Sequence, residues 1–141
     1  MRVKRHEDEH DWLESTAEFV KNLNLPELAE AGLYEYLVEM GNSERKGLES
    51  QVVRLIMHLL KFRYQPAMAS NSWKISCVNA RQEIRRTLKH SPSLQRYLLE
   101  LLSDDDVYED AREAAEEETS VKMPRSNPFK PEEIMDKSFF G

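Results

Sequence analysis

The amino-acid sequence predicts an all-α fold, a compact multi-helix domain around a long central helix with an extended C-terminal arm. Apolar residues recur at intervals of three and four along most of the chain, the period of a helix face, and no stretch alternates as a strand does. Residues that open and close helices stand at the ends of those runs. With 141 residues, 40% of them apolar, the chain has the size and composition for one packed core.

The first helix opens at Asp11-Trp12-Leu13-Glu14, where a capping acid is followed three residues later by Glu. Leu13, Ala17 and Val20, with Trp12, Thr16 and Phe19 beside them, give it a broad apolar face, and Asn22 and Asn24 interrupt it. Pro26 suits the first turn of a short piece from Glu27 to Ala31. After Gly32, the spacing of Leu33, Leu37 and Met40 continues helically as far as Gly41, a residue type that commonly ends a helix. Asn42 and Ser43 then offer caps for the long helix, residues 44–65. Its apolar positions form two neighbouring stripes, Leu48, Val52, Leu55, Ile56 and Leu59 on one and Val53, Met57, Leu60 and Tyr64 on the other. That width belongs to a helix buried over most of its circumference. At 1.5 Å per residue it spans about 33 Å, and Pro66 ends it by removing a donor and constraining the residue before it.

A loop over 67–71 leads to a helix capped near Ser70 to Ser72, with a core stripe of Trp73, Cys77, Ala80, Ile84 and Leu88. Lys74, Arg81, Arg85 and Lys89 fall at other, wetter angles. Ser91-Pro92, a cap followed by proline at the first helical position, opens the next helix, which buries Leu94, Tyr97, Leu98, Leu101 and Leu102. Ser103 to Asp106 reads as a kink with its own cap, since three acids suit a helix N-terminus. Val107, Tyr108, Ala111, Ala114 and Ala115 mark a sixth element. Beyond Thr119 the pattern thins, and Pro124, Asn127, Pro128 and Pro131 favour an extended arm with one short helix over 131–137. The expected division is a helical domain over 1–123 and an arm over 124–141, which Phe129, Ile134 and Phe139 fasten to the core or to a partner chain.

Composition removes several function classes. Cys77 is the single cysteine, so neither an intramolecular disulfide nor a multi-cysteine zinc module can form, and its apolar neighbours suit a buried thiol rather than a nucleophile. No apolar run reaches the 18 or so residues of a membrane helix, and the basic start Met1 to Arg5 is followed by charged residues where a signal peptide would be apolar. The expectation is a cytoplasmic protein with no membrane role, and nothing in the residues calls for a cofactor or metal.

The net charge of −6 is segregated. Residues 44–90 carry ten Lys and Arg against three acids, whereas 100–118 carry ten acids against Arg112, and 12–43 add a net −5. Acidic helices neutralising basic ones inside the fold is one reading; a basic face left for an anionic partner is the other.

Three sets of residues invite a chemical reading. His6-Glu7-Asp8-Glu9-His10 fits the spacing of a zinc protease helix, but without an apolar residue it reads as a solvated terminus. Arg54, His58, Lys61 and Gln65, spaced four, three and four, share one face of an otherwise apolar helix. They suit an internal network, for which Glu35 and Glu39 are acidic partners, or a site in which His58 carries a proton, Glu35 orients it and Lys61 or Arg54 holds an anion. For binding, Arg54, Gln65, Trp73, Arg81 and Arg85 are the candidates. Nucleic acid is a secondary possibility, because the basic region lacks a recognition-helix motif, a zinc finger or a phosphate loop.

Leu33-Tyr34-Glu35-Tyr36-Leu37-Val38-Glu39-Met40-Gly41, then Ser43-Glu44-Arg45 and His58-Leu59-Leu60-Lys61-Phe62-Arg63-Tyr64-Gln65-Pro66, resemble the domain of unknown function 29 family, a bacterial family abundant in cyanobacteria. Asp8, Trp12, Ser72-Trp73, Arg81, Ser91-Pro92-Ser93-Leu94, Tyr108, Pro124 and Pro128 extend the match over nearly the whole chain. The resemblance implies an all-helical fold and no established activity. It also implies two departures: members commonly have a second glutamate where this chain has Tyr36 and a tryptophan where it has Phe62. The missing carboxylate argues against a two-carboxylate metal site. The function expected is a helical interaction or adaptor domain that binds another protein or self-associates, with a small hydrolase or nucleic-acid-acting enzyme centred on His58 as the alternative.

Overall fold

A computed structural model describes residues 3–141; of the basic start, Met1 and Arg2 lie outside the described residues. The described residues form seven α-helices and no strand: α1 (Glu9–Leu23), α2 (Pro26–Ala31), α3 (Leu33–Tyr64), α4 (Asn71–His90), α5 (Gln95–Leu102), α6 (Asp105–Thr119) and α7 (Pro131–Met135). Short 3-10 turns at Pro66–Met68 and Pro92–Leu94 precede α4 and α5. No helix among the described residues is long and apolar enough to cross a membrane.

The central helix is longer than its sequence signals suggest. Instead of stopping at Gly41 and restarting at 44, α3 runs for 32 residues, about 48 Å, and its backbone turns left-handed only before it, at Gly32. The reason is phase. Leu33, Leu37, Met40, Leu48, Val52, Leu55 and Leu59 keep one continuous stripe, so the glycine's intrinsic cost of about 1 kcal/mol is outweighed by packing on both sides of it. Gly41 itself is buried where His10 of α1 crosses, and a Cβ there would lie 3.6 Å from the imidazole.

The stripe serves two apolar clusters. The main core gathers the α3 residues from Leu48 to Leu60 with Cys77, Ala80 and Ile84 of α4, Leu98, Leu101 and Leu102 of α5, Val107, Tyr108, Ala111 and Ala115 of α6, and Ile134 of α7. Asp104 caps α6 by accepting from the N–H groups of Asp106 and Val107, and the kink expected over 103–106 is there. The second cluster is small. Only Leu13, Ala17 and Leu37 are fully buried in it, where α1 lies antiparallel against the first half of α3.

Two local expectations are corrected. The first helix begins at Glu9, capped by Asp8 rather than Asp11, because Asp8 accepts from the Asp11 N–H and also from the backbone and hydroxyl of Ser93, which fixes the chain's entry. Arg81 is not on a wet angle: it is 1% exposed. Its Nε and Nη2 donate to the carbonyls of Ile134 and Phe139, at 2.9 and 2.7 Å, and so fasten the arm across α4. Residues 124–141 lie against the main core, with Phe129 and Ile134 buried and Phe140 against Phe62.

Candidate functional site

The polar stripe on α3 is mostly turned inward. His58 is 8% exposed, and its Nδ1 donates to the Arg54 carbonyl at 2.9 Å, which leaves Nε2 as the unprotonated nitrogen of a neutral ring. Burial holds its pKa below the ordinary histidine range, against the smaller opposing pull of that carbonyl. Lys61, 7% exposed, donates to Glu118 of α6 at 2.7 Å, and its ammonium sits 4.5 Å from the centre of the Trp73 ring. Gln65 donates to the Thr119 carbonyl. Trp73 meets Phe62 edge-on, ring centres 5.5 Å apart. The internal acid for the basic stripe is therefore Glu118, on the acidic helix, and not Glu35 or Glu39.

Glu35 stands apart from that set. It lies on the same unbroken helix as His58, 23 residues away, about 35 Å along the axis. The structure therefore brings His58, Lys61 and Trp73 together and keeps Glu35 out of reach of them. Arg54 and Arg85 are exposed, and Arg81 is inside the fold as the clip on the arm. Cys77 is fully buried, and burial pushes its thiol up to about 11, out of nucleophile range at neutral pH.

His6 and His10 part company as well. The helix starts between them, so His6 lies exposed in a turn while His10 is 3% exposed. Far from a solvated terminus, His10 is the centre of a polar junction between the two clusters. Its ring nitrogens face Glu44 at 3.2 Å and Glu14 at 2.8 Å, Arg45 reaches both His10 and Glu14, and its backbone N–H donates to the buried Ser91 hydroxyl. Burial raises the Glu44 pKa, with His10 pulling the other way. Glu44 occupies the one position of the α3 stripe, between Met40 and Leu48, that has no apolar side chain. Asp8, Glu44, Arg45, Ser91 and Ser93, polar residues on which the family resemblance rests, all meet here; that coincidence is the signal composition and periodicity could not supply. Among the described residues, no group of three or more His, Cys, Asp and Glu side chains is placed to hold a metal ion.

What remains open is the hairpin of α1, α2 and the first turns of α3. It exposes Phe19, Leu23, Leu25, Tyr36 and Val38, five of the ten large apolar side chains exposed among the described residues. A hollow of about 270 Å³ runs between α1 and α3, floored by Ala17, Leu37 and Gly41, with Val38 at its side and Glu14 and Glu18 on its rim. A second, of about 250 Å³, lies at the hairpin tip among Val20, Leu25, Leu28 and Glu35. Tyr34 lines both, so the two hollows lie next to each other along the hairpin. Lys21, above the Tyr34 ring, is the single base among residues 12–43, against six acids.

A family model described as Domain of unknown function DUF29 matches residues 6–140. No curated protein and no solved structure matches the chain.

Proposed function

The chain belongs to the DUF29 family, and on that premise we propose that it is a helical interaction domain that binds a protein partner, taking an amphipathic helix with a basic border into the groove between α1 and α3. One observation carries this reading: a helix pair that buries only three apolar side chains leaves a hollow along its seam, with Ala17, Leu37 and Val38 in its lining and glutamates on its rim. Two helices pack one stripe each. A third, laid in their groove, would complete a three-helix bundle and cover Val38 and Tyr34 with its own apolar anchors. Lys or Arg at its edges would meet Glu18 and Glu35, which favours encounter and excludes acidic helices. The inward-turned His58 network supports the same reading, because its members already have partners within the fold.

The test uses two designed helical peptides with the same leucine anchors, one bordered by Lys and one by Glu, titrated against the full chain by calorimetry. The Lys peptide binds, more weakly at high salt, and Val38→Arg, at a partly exposed position that folding tolerates, weakens it at least tenfold. Equal binding of both peptides, or indifference to Val38→Arg, overturns the proposal.

A further inference from the structure

The outer face of α4 has the chemistry that the groove requires. Ile75 and Val78 are exposed there, one turn apart, with Lys74 beside them and Arg85 and Lys89 about two and three turns further along the same helix, all exposed. Among the described residues no ion pair or cation–π contact engages Arg85 or Lys89, whereas Arg112 and Lys61 engage Glu109, Glu116 and Glu118 of α6. The charge segregation seen in the sequence is therefore only partly cancelled inside the fold: an acidic apolar surface persists on the hairpin and a basic apolar ridge on α4. Within one chain the two cannot meet, because α4 packs on the second half of α3 through its opposite side, where Cys77, Ala80 and Ile84 are buried.

We propose that the occupant of the groove is the α4 ridge of a second copy of this chain. The inference rests on the groove being a docking site, and it names the partner. Ile75 and Val78 enter the hollow beside Val38 and Tyr34, with Arg85 and Lys89 against Glu18 and Glu35. The contact joins unlike surfaces, so two copies that each offer both make it twice and close as a pair, doubling the buried area; otherwise it extends copy by copy.

Sedimentation of the full chain tests this with two charge reversals at exposed positions, Glu18→Lys with Glu35→Lys on the groove and Arg85→Glu with Lys89→Glu on the ridge. Expected at low salt is self-association, weakened at least tenfold by either variant and by high salt, and regained when the two variants are mixed, since the reversed groove then faces the reversed ridge. A wild-type chain that stays monomeric at hundreds of micromolar, or variants that associate as well as it does, overturns the inference. If the chain is monomeric yet binds the Lys-bordered peptide with the Val38 dependence, the second copy fails and the groove stands; if the peptide fails too, both fall. A ridge whose reversal abolishes binding of an oligonucleotide while self-association is unchanged belongs to nucleic acid, and overturns the inference as well.

Discussion

Alanine at Gly41 discriminates between a helix that ends there and one that passes through. In the structure Gly41 is helical, and a Cβ added to it meets His10 Cε1 at 3.6 Å and Nδ1 at 3.9 Å, ordinary van der Waals contact. Nothing has to move. The substitution therefore gains the helix propensity of alanine over glycine, about 0.8–1 kcal/mol, and its methyl group, on the groove floor, adds at most a few tenths. We expect Gly41→Ala to stabilise the chain by about 1 kcal/mol, a rise in Tm of roughly 3–4 °C for a domain of this size. A left-handed stop at Gly41 would give the opposite sign, a loss of about 1–2 kcal/mol.

Two other glycines calibrate the measurement. Gly47 has nothing within 4 Å of a Cβ, so Gly47→Ala should gain about the same from propensity alone. Gly32 has φ +71° at the joint between α2 and α3, and Gly32→Ala should lose about 1 kcal/mol. Urea and thermal unfolding followed by circular dichroism measure all three. A destabilised Gly41→Ala beside a stabilised Gly47→Ala would refute the continuous α3 and, with it, the separation of Glu35 from His58.

Two further predictions concern buried charge. Because burial lowers the His58 pKa, the unfolded chain takes up that proton near pH 6.5 while the folded chain resists it, so the stability tied to this group is complete above about pH 6.5 and falls as pH drops below it. His58→Asn, which keeps a donor for the Arg54 carbonyl but cannot titrate, should lose less Tm than wild type between pH 7 and pH 5; an equal loss in both would show that His58 is not the responsible group. Arg81→Met removes two charge-assisted bonds to the arm, of about 1.5–3 kcal/mol each before the relief of burying a charge. It should lower stability by about 2 kcal/mol and speed proteolysis within 130–141, whereas an arm cut no faster than in wild type would mean that Phe129 and Ile134 hold it unaided.

The helices were legible because each stripe and most caps are local. Leu94 to Leu102, a cap within 103–106 and the Cys77-Ala80-Ile84 face are read from local residues alone, and the structure has all three, with Asp104 as the cap. Gly41 is a stop residue by type alone; the unchanged phase from Met40 to Leu48, two turns apart, carries the helix through it. Arg81 and His10 were illegible for another reason. Whether a charged residue at the edge of a stripe faces water depends on what else lies on that edge, and here it is the arm, more than 50 residues later, and the Ser91 turn, 81 residues later. Periodicity reports the angle of a side chain on its own helix and nothing about the segment opposite.

The first half of α3 also bears on function through its poor burial. Between Leu33 and Gly47 only Leu37 and Gly41 are buried, too little to hold fifteen residues in a helix on their own. Two things hold it: the helix is already nucleated in the main core from Leu48 onward, and α1 is pinned beside it through Asp8, His10 and Ser91. Polar bonds at the junction thus take over the orienting role that apolar packing plays elsewhere in the chain. A hairpin held at its base can keep the seam between its helices uncovered without losing its shape, and that is the condition for a groove whose apolar floor is available to another helix rather than collapsed on itself.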